Sequence, residues 1–408
     1  MKFKIAFSVY LIICLLYPVV PLLGPISIRH TFTLIMLVWC IYEKGVVFDK
    51  SQKWFAVFLF FSFMGSSITG YFSYFASSLT GTYLAAFVMY WSAKIIIKKY
   101  DGVIWVISIV LLIAVINGLT AIGQFYGNPI ATYLPQSLRI NLGEDMLEFY
   151  EKYDDFHGRY VGGLLGIVSS GYFLSAACVL SLYNSEGKKR IYNWLLFGFL
   201  FFALFLVQER AGVLAAIFGT ALFLLLNVAQ RKSTFFSVVT IALASIVFLY
   251  FYGSRILNVE EMRYSTVGFD YDRIQLASNG WKYLLNNPMG GIEAFHAAGN
   301  RDPHLVFVLV FLYGGLLGGV VAIGILVSQI VTIIRILKES YLKKNHSNVL
   351  IVFSIVYLCY TINSFVHNAS LFTGDIMFFV LWAVVVALCE KEDYTIKTNR
   401  NIIINNQL

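Results

Sequence analysis

The chain has 408 residues and a formal net charge of +8, with 59% hydrophobic, 17% aromatic and only 13% charged residues. Its mean hydropathy is +0.75. Water-soluble domains carry about 25% charged residues, so the composition excludes a soluble enzyme, a nucleic-acid-binding protein and a secreted disulfide scaffold. Apolar runs recur from end to end, and the expected fold class is an all-α polytopic membrane protein, a single transmembrane domain over residues 1–408.

In chain order the hydropathy predicts twelve spans, near 5–23, 28–43, 54–74, 78–97, 103–126, 161–183, 193–208, 211–229, 234–252, 304–334, 348–367 and 372–389. The first has a basic tip and no small-residue cleavage site, so it reads as a retained span. The tenth is long enough to tilt or to contain an interfacial turn. The polar stretches are 127–160, 253–303 and a tail, 390–408. Cys14, Cys40, Cys178, Cys359 and Cys389 all fall in or at the ends of apolar runs, which argues against disulfides and zinc.

Charge orients the spans. With the N-terminus in the cytoplasm, 20 of the 30 basic residues fall on the cytoplasmic side, mostly in short loops, as the positive-inside rule requires. The tail then ends inside as well. On the opposite side eight of ten basic residues are arginine, against four of twenty inside, and 14 of the 22 acidic residues lie there too. Arginine presents a planar fork of donors suited to phosphate or carboxylate. Any chemistry is therefore expected on the extracytoplasmic face.

Two of those arginines stand out. Arg210 lies at the turn between two apolar spans, beside Glu209. Arg273 opens an amphipathic stretch in which Ile274, Ala277, Trp281 and Leu284 recur at helical spacing, as in a helix on a membrane surface. Met146, Phe149, Tyr150 and Tyr153 form a similar patch in the earlier loop, near Arg159. No phosphate-cradling loop, dinucleotide fingerprint, zinc-protease motif or paired CxxC is present. Asp270-Tyr-Asp272 is formally a DxD triplet, but Arg273 beside it competes as the counter-ion, so no metal and no cofactor are expected. Ionisable residues are scarce in mid-span, which counts against an ion-coupled transporter. Of the histidines 30, 157, 296, 304, 346 and 367, His304 opens the tenth span on the arginine-rich side, just after Arg301, where a neutral imidazole could take a proton from a hydroxyl.

Three segments together resemble the O-antigen polymerase and ligase family of bacterial inner-membrane glycosyltransferases. Phe205-Leu-Val-Gln-Glu-Arg210-Ala-Gly-Val-Leu is similar to the family's arginine followed by small residues at a span start. Tyr271-Asp-Arg273, Trp281 and Asn287-Pro-Met-Gly-Gly291 are similar to its arginine, amphipathic helix and Pro-x-x-Gly-x-Gly, with Ile292 in place of the last glycine. Pro303-His304 followed by an apolar run to Gly315-Leu-Leu-Gly318 matches its His-Asn, apolar run and Gly-x-x-Gly, with Leu305 in place of the asparagine. The match covers residues 205–320.

The resemblance implies a GT-C-like helical fold, a large periplasmic loop with amphipathic helices, and metal-independent inverting glycosyl transfer at the periplasmic face. The implied donor is a saccharide linked to undecaprenyl diphosphate. Arg210 and Arg273, assisted by Arg301, Arg159 and Glu209, would bind the lipid diphosphate, and His304 would act as general base on the acceptor hydroxyl. A polymerase, with a chain-length regulator as partner, is favoured over a ligase acting on lipid A core. A flippase for the same lipid-linked saccharide is the rival of a different class.

Overall fold

The computed structural model describes residues 1–16, 21–23, 26–133, 161–184, 190–207, 209–230, 271–303, 305–343, 347–365 and 370–405. The expected ninth span, 234–252, lies outside them, as do most of the first polar stretch and the early part of the second.

In chain order the helices are α1 (Lys2–Leu16), α2 (Ile28–Tyr42), α3 (Lys50–Ile68), α4 (Phe72–Ser78), α5 (Leu84–Tyr100), α6 (Val103–Phe125), α7 (Ile167–Ser181), α8 (Arg190–Val207), α9 (Arg210–Gln230), α10 (Tyr271–Asn286), α11 (Ile292–Ala297), α12 (Val306–Lys343), α13 (Asn348–Ser364) and α14 (Ile376–Asn405). A π-helical turn, Leu79–Tyr83, joins α4 to α5. Among the described residues, Phe72–Tyr100, Val103–Phe125 and Val306–Leu342 are long and apolar enough to cross a bilayer, and shorter apolar helices surround them. Among the described residues the regular structure is helical apart from one short hairpin, and the apolar helices are those of a membrane protein.

That hairpin changes the first expected span. α1 ends at Leu16, and Pro21–Leu23 (β1) pairs antiparallel with Ile26–Ser27 (β2). A helix out to residue 23 would carry Pro18 and Pro21 in its interior, where each removes a hydrogen bond and clashes with the preceding turn. The sixth span also starts later, at Ile167, behind an irregular run 161–166. The last helix runs on to Asn405, so residues 390–405 continue α14.

One end of the bundle is fastened by charge. Lys94 of α5 pairs with Glu390 of α14 (3.0 Å) and with Asp49 at the start of α3 (3.6 Å), and Lys98 pairs with Glu390 at 2.6 Å. Asp49 also accepts from the Tyr90 hydroxyl. Lys99 meets Glu43 (3.1 Å), and Lys391 meets Asp101 (2.5 Å). The middle is apolar, with Phe55 packed among Phe58, Phe87, Phe372 and Phe379.

α12 is long because it is two helices in line. Gly315 has φ 65° and ψ −172°, which breaks the helix. In hydrocarbon the freed backbone groups need partners, and the turn after α10 supplies them. The Gly291 N–H donates to the Leu312 carbonyl (2.9 Å), and the Leu316 N–H donates to the Pro288 carbonyl (2.8 Å). The insertion is tight: a Cβ on Gly290 would lie 2.6 Å from the Gly315 nitrogen, and one on Gly315 would lie 2.5 Å from the Met289 carbonyl carbon.

This packing makes a contrast testable within one region. Gly290→Ala meets backbone on contact and must hold φ +79°, a conformation that costs on the order of 1–3 kcal/mol for a non-glycine residue. Gly324→Ala, further along α12, meets nothing within 4 Å. Thermal unfolding in detergent should show a clear loss for Gly290→Ala and none for Gly324→Ala; equal behaviour would contradict the docked turn.

Candidate functional site

The end of the bundle opposite the charged clamp holds the breaks in the helices, and besides the backbone-closed gap in α12 three of them are stitched by polar side chains. α6 carries two of these. Gln124 Oε1 accepts from the N–H groups of Gly162 (3.0 Å) and Gly163 (2.8 Å), while Asn117 Oδ1 accepts from Leu164 N–H (2.7 Å) and the Ser170 hydroxyl (3.1 Å). They hold the irregular run ahead of α7, whose N-cap is Gly166 with φ 85°.

The second stitch is Glu209. It is 4% exposed, and its carboxylate accepts from the N–H groups of Ala211 (3.2 Å) and Gly212. It therefore caps the N-terminus of α9, where a carboxylate also meets the positive end of the helix dipole. Gly171 of α7 makes room for it: a Cβ there would lie 2.5 Å from Glu209 Cγ and 2.8 Å from Oε2. Glu209 thus fixes where α9 begins, and Arg210 is the first residue of that helix.

The third is Asp375, whose Oδ1 accepts from Met377 N–H (2.9 Å) and Phe378 N–H (3.3 Å) at the start of α14. Tyr172 of α7 lies within electrostatic reach of both Asp375 and Glu209, and its ring packs on Tyr360 of α13 at 5.1 Å. The sequence reading counted Asp375 only as one more extracytoplasmic acid. Its signal was available: an ionisable residue among apolar ones at a span start calls for a partner.

The amphipathic stretch forms α10, with Arg273 in its first turn. Leu284 is buried, Trp281 packs on Phe311 of α12 at 5.3 Å, and Gly280 sits over Val308 and Pro303. Ile274, expected on the apolar face, is exposed. The side chains of Arg210 and Arg273, and residues Arg159 and His304 entirely, lie outside what is described, while Arg301 is exposed in the loop before α12. Asp270 lies outside as well. Among the described residues no His, Cys, Asp and Glu side chains gather in a group able to hold a metal ion.

That loop contains a pair the sequence reading did not single out. Gly299 turns the chain back with φ +79°, and His296 Nε2 meets Asp302 Oδ1 at 2.6 Å. Nearby, the Ser66 hydroxyl donates to Glu293 Oε2 at 2.8 Å, tying α3 to α11. His296 and Asp302 are six residues apart and separated by a non-helical turn, so no periodicity announces them.

The chain matches no protein-family model, no curated protein and no solved structure.

Two tests follow from this geometry. Gly171→Ala should push Glu209 off the α9 N-terminus and lower thermal stability by more than Gly198→Ala, whose Cβ meets nothing within 4 Å; parity between them would refute the cap. The second concerns pH. The hydrogen bond that His296 donates to the Asp302 carboxylate raises the His296 pKa above the usual histidine value. Its stabilisation is then full below the unfolded value of about 6.5 and disappears as pH rises through the higher folded value. Asp302→Asn should lower the melting temperature at pH 6 and change it little at pH 9. A loss that is the same at both values would exclude the ion pair as its cause.

Proposed function

We propose that the chain is a membrane-embedded glycosyltransferase of the O-antigen polymerase type. It joins a growing saccharide on undecaprenyl diphosphate to an incoming lipid-linked repeat unit at the periplasmic face of a bacterial inner membrane. This reading keeps the topology of twelve spans with both termini inside.

The observation that carries it is the contact between segments that the resemblance treats as separate motifs. The Pro288–Gly291 turn is docked in the α12 break at Gly315, and α10, which carries Arg273 in its first turn, sets Gly280 over Pro303 and Val308 at the start of α12. α9, which begins with Arg210, packs against α13 and α12, and Phe307 of α12 stacks on Phe365 at the end of α13, rings 5.1 Å apart. Residues far apart in the chain thus have their backbones at one end of one helical group.

The chemistry assigned to them is a single displacement. The acceptor hydroxyl oxygen attacks the anomeric carbon as His304 takes its proton. The bond from that carbon to the phosphate oxygen breaks, and its electron pair leaves with the lipid diphosphate. Arg210 and Arg273 offset the charge that develops there, with Arg301 and Arg159 as further cations. Glu209 serves this arrangement through the α9 cap, which sets the place of Arg210. A preorganised donor facing developing charge is worth about 10²–10³ in rate, so Arg210→Ala and Arg273→Ala should each lower transfer by that order.

The test is deletion of the gene in its host followed by electrophoresis of the surface polysaccharide. A lipid A core carrying one repeat unit is the expected product, restored to a ladder by the intact gene and not by the Arg210→Ala, Arg273→Ala or His304→Ala variants. Bare core with polymer left on its lipid carrier would make the protein a ligase. An unchanged ladder would overturn both readings.

A further inference from the structure

A second cationic position lies at the same end of the bundle, in a different group of helices. α2 runs parallel to α5: Glu43 and Lys99 meet at the charged clamp, Cys40 meets Ser92 in the middle, and His30 meets Gly81 at the far end. Arg29 is in the first turn of α2. It is half-buried, its Nε is fully buried with no hydrogen-bond partner, and among the described residues no carboxylate pairs with it. Its electrostatic neighbours are Tyr10 and Cys14, which are uncharged. A guanidinium nitrogen held out of water without a partner is costly unless an acceptor such as an anion joins the group.

The surroundings are shaped for one. His30 Nδ1 accepts from Ser27 N–H (3.4 Å) and lies 2.6 Å from the Ser27 hydroxyl oxygen. In the neutral ring that leaves the proton on Nε2. A Cβ on Gly81 would lie 3.1 Å from His30 Nε2 and 3.7 Å from Arg29 Nη2. The two donors therefore lie on the same side of Gly81, close against the π-helical turn Leu79–Tyr83, and such turns are often found at functional sites. A forked guanidinium with a second N–H donor suits a phosphate oxyanion.

We propose that Arg29 and His30, over Gly81, form a binding site for the phosphate group of a lipid. Taken together with the polymerase reading, on which this assignment rests, the lipid is the acceptor. Polymerisation needs two lipid diphosphates at once. The donor's diphosphate is the leaving group and belongs beside the reacting carbon. The acceptor's diphosphate stays intact, and the length of one repeat unit separates it from the attacking hydroxyl. Arg29 belongs to the α1–α2–α5 group, whereas α9 begins among α7, α12 and α13, so each anion has a cationic position of its own.

The test is binding without turnover. The full chain in phosphatidylcholine nanodiscs is titrated with undecaprenyl diphosphate and the bound equivalents are counted by native mass spectrometry. Two equivalents are expected for the wild type and one for Arg29→Gln. Gly81→Val, whose side chain crowds the His30 ring while the arginine stays, should also bind one, and circular dichroism of both variants checks that they are folded. Two equivalents in both variants would overturn the site. Inorganic diphosphate and phosphatidylglycerol serve as competitors. Displacement of the Arg29-dependent equivalent by soluble diphosphate would show a free-anion site and overturn the lipid assignment. Equal displacement by phosphatidylglycerol would leave a lipid-phosphate site and overturn the acceptor role. If the gene deletion leaves the ladder unchanged, the polymerase reading fails on its own, whatever these counts show.

Discussion

Hydrocarbon cannot hydrogen-bond to peptide groups, and the rest of this structure depends on that constraint. A helix satisfies its own interior, so a break within the bilayer requires a substitute partner from elsewhere in the chain. Here the substitutes are specific. Gln124 and Asn117 hold the run ahead of α7, Glu209 caps α9, Asp375 caps α14, and the Pro288–Gly291 turn closes the gap at Gly315 in α12. All these repairs lie away from the charged clamp, which leaves one end of the bundle straight and fastened and the other irregular and polar.

That asymmetry has a functional sense. The clamp of Lys94, Lys98, Asp49 and Glu390 joins α3, α5 and α14 through ions that neutralise one another. At the other end the cations have a different setting. Arg210 begins α9, Arg273 lies in the first turn of α10, Arg301 is exposed, and Arg29 has an unpartnered buried nitrogen. Paired charges hold the clamp together, whereas among the described residues no carboxylate pairs with Arg29.

Glycine decides where segments can approach. Gly171 admits Glu209, Gly290 and Gly315 admit one another's backbone, and Gly81 lets Arg29 and His30 approach the π-helical turn closely. The Gly-Gly-Leu-Leu-Gly repeats at 162–166 and 314–318 look alike in sequence, and both serve irregular backbone. The first is held by side chains of α6 and the second by the backbone of a docked turn. The same letters therefore receive different partners, which no local reading could have assigned.

The sequence by itself determined that the chain is a helical membrane protein, because burial in lipid demands long apolar runs, and it placed most helices within a few residues of their ends. It marked α10 as amphipathic and Arg210 as a helix start. It missed the hairpin at Pro21–Ser27, since hydropathy does not register that proline breaks a helix. Tertiary structure alone decided that Glu209 spends its carboxylate on two backbone N–H groups, that Gly315 breaks α12, that His296 pairs with Asp302, and that Arg29 and His30 converge on Gly81. The Gly315 break and the meeting of Arg29, His30 and Gly81 are set by which distant segment arrives, whereas the Glu209 cap and the His296–Asp302 pair are short-range polar contacts; apolar periodicity, which records only the face a helix buries, carries no information about either.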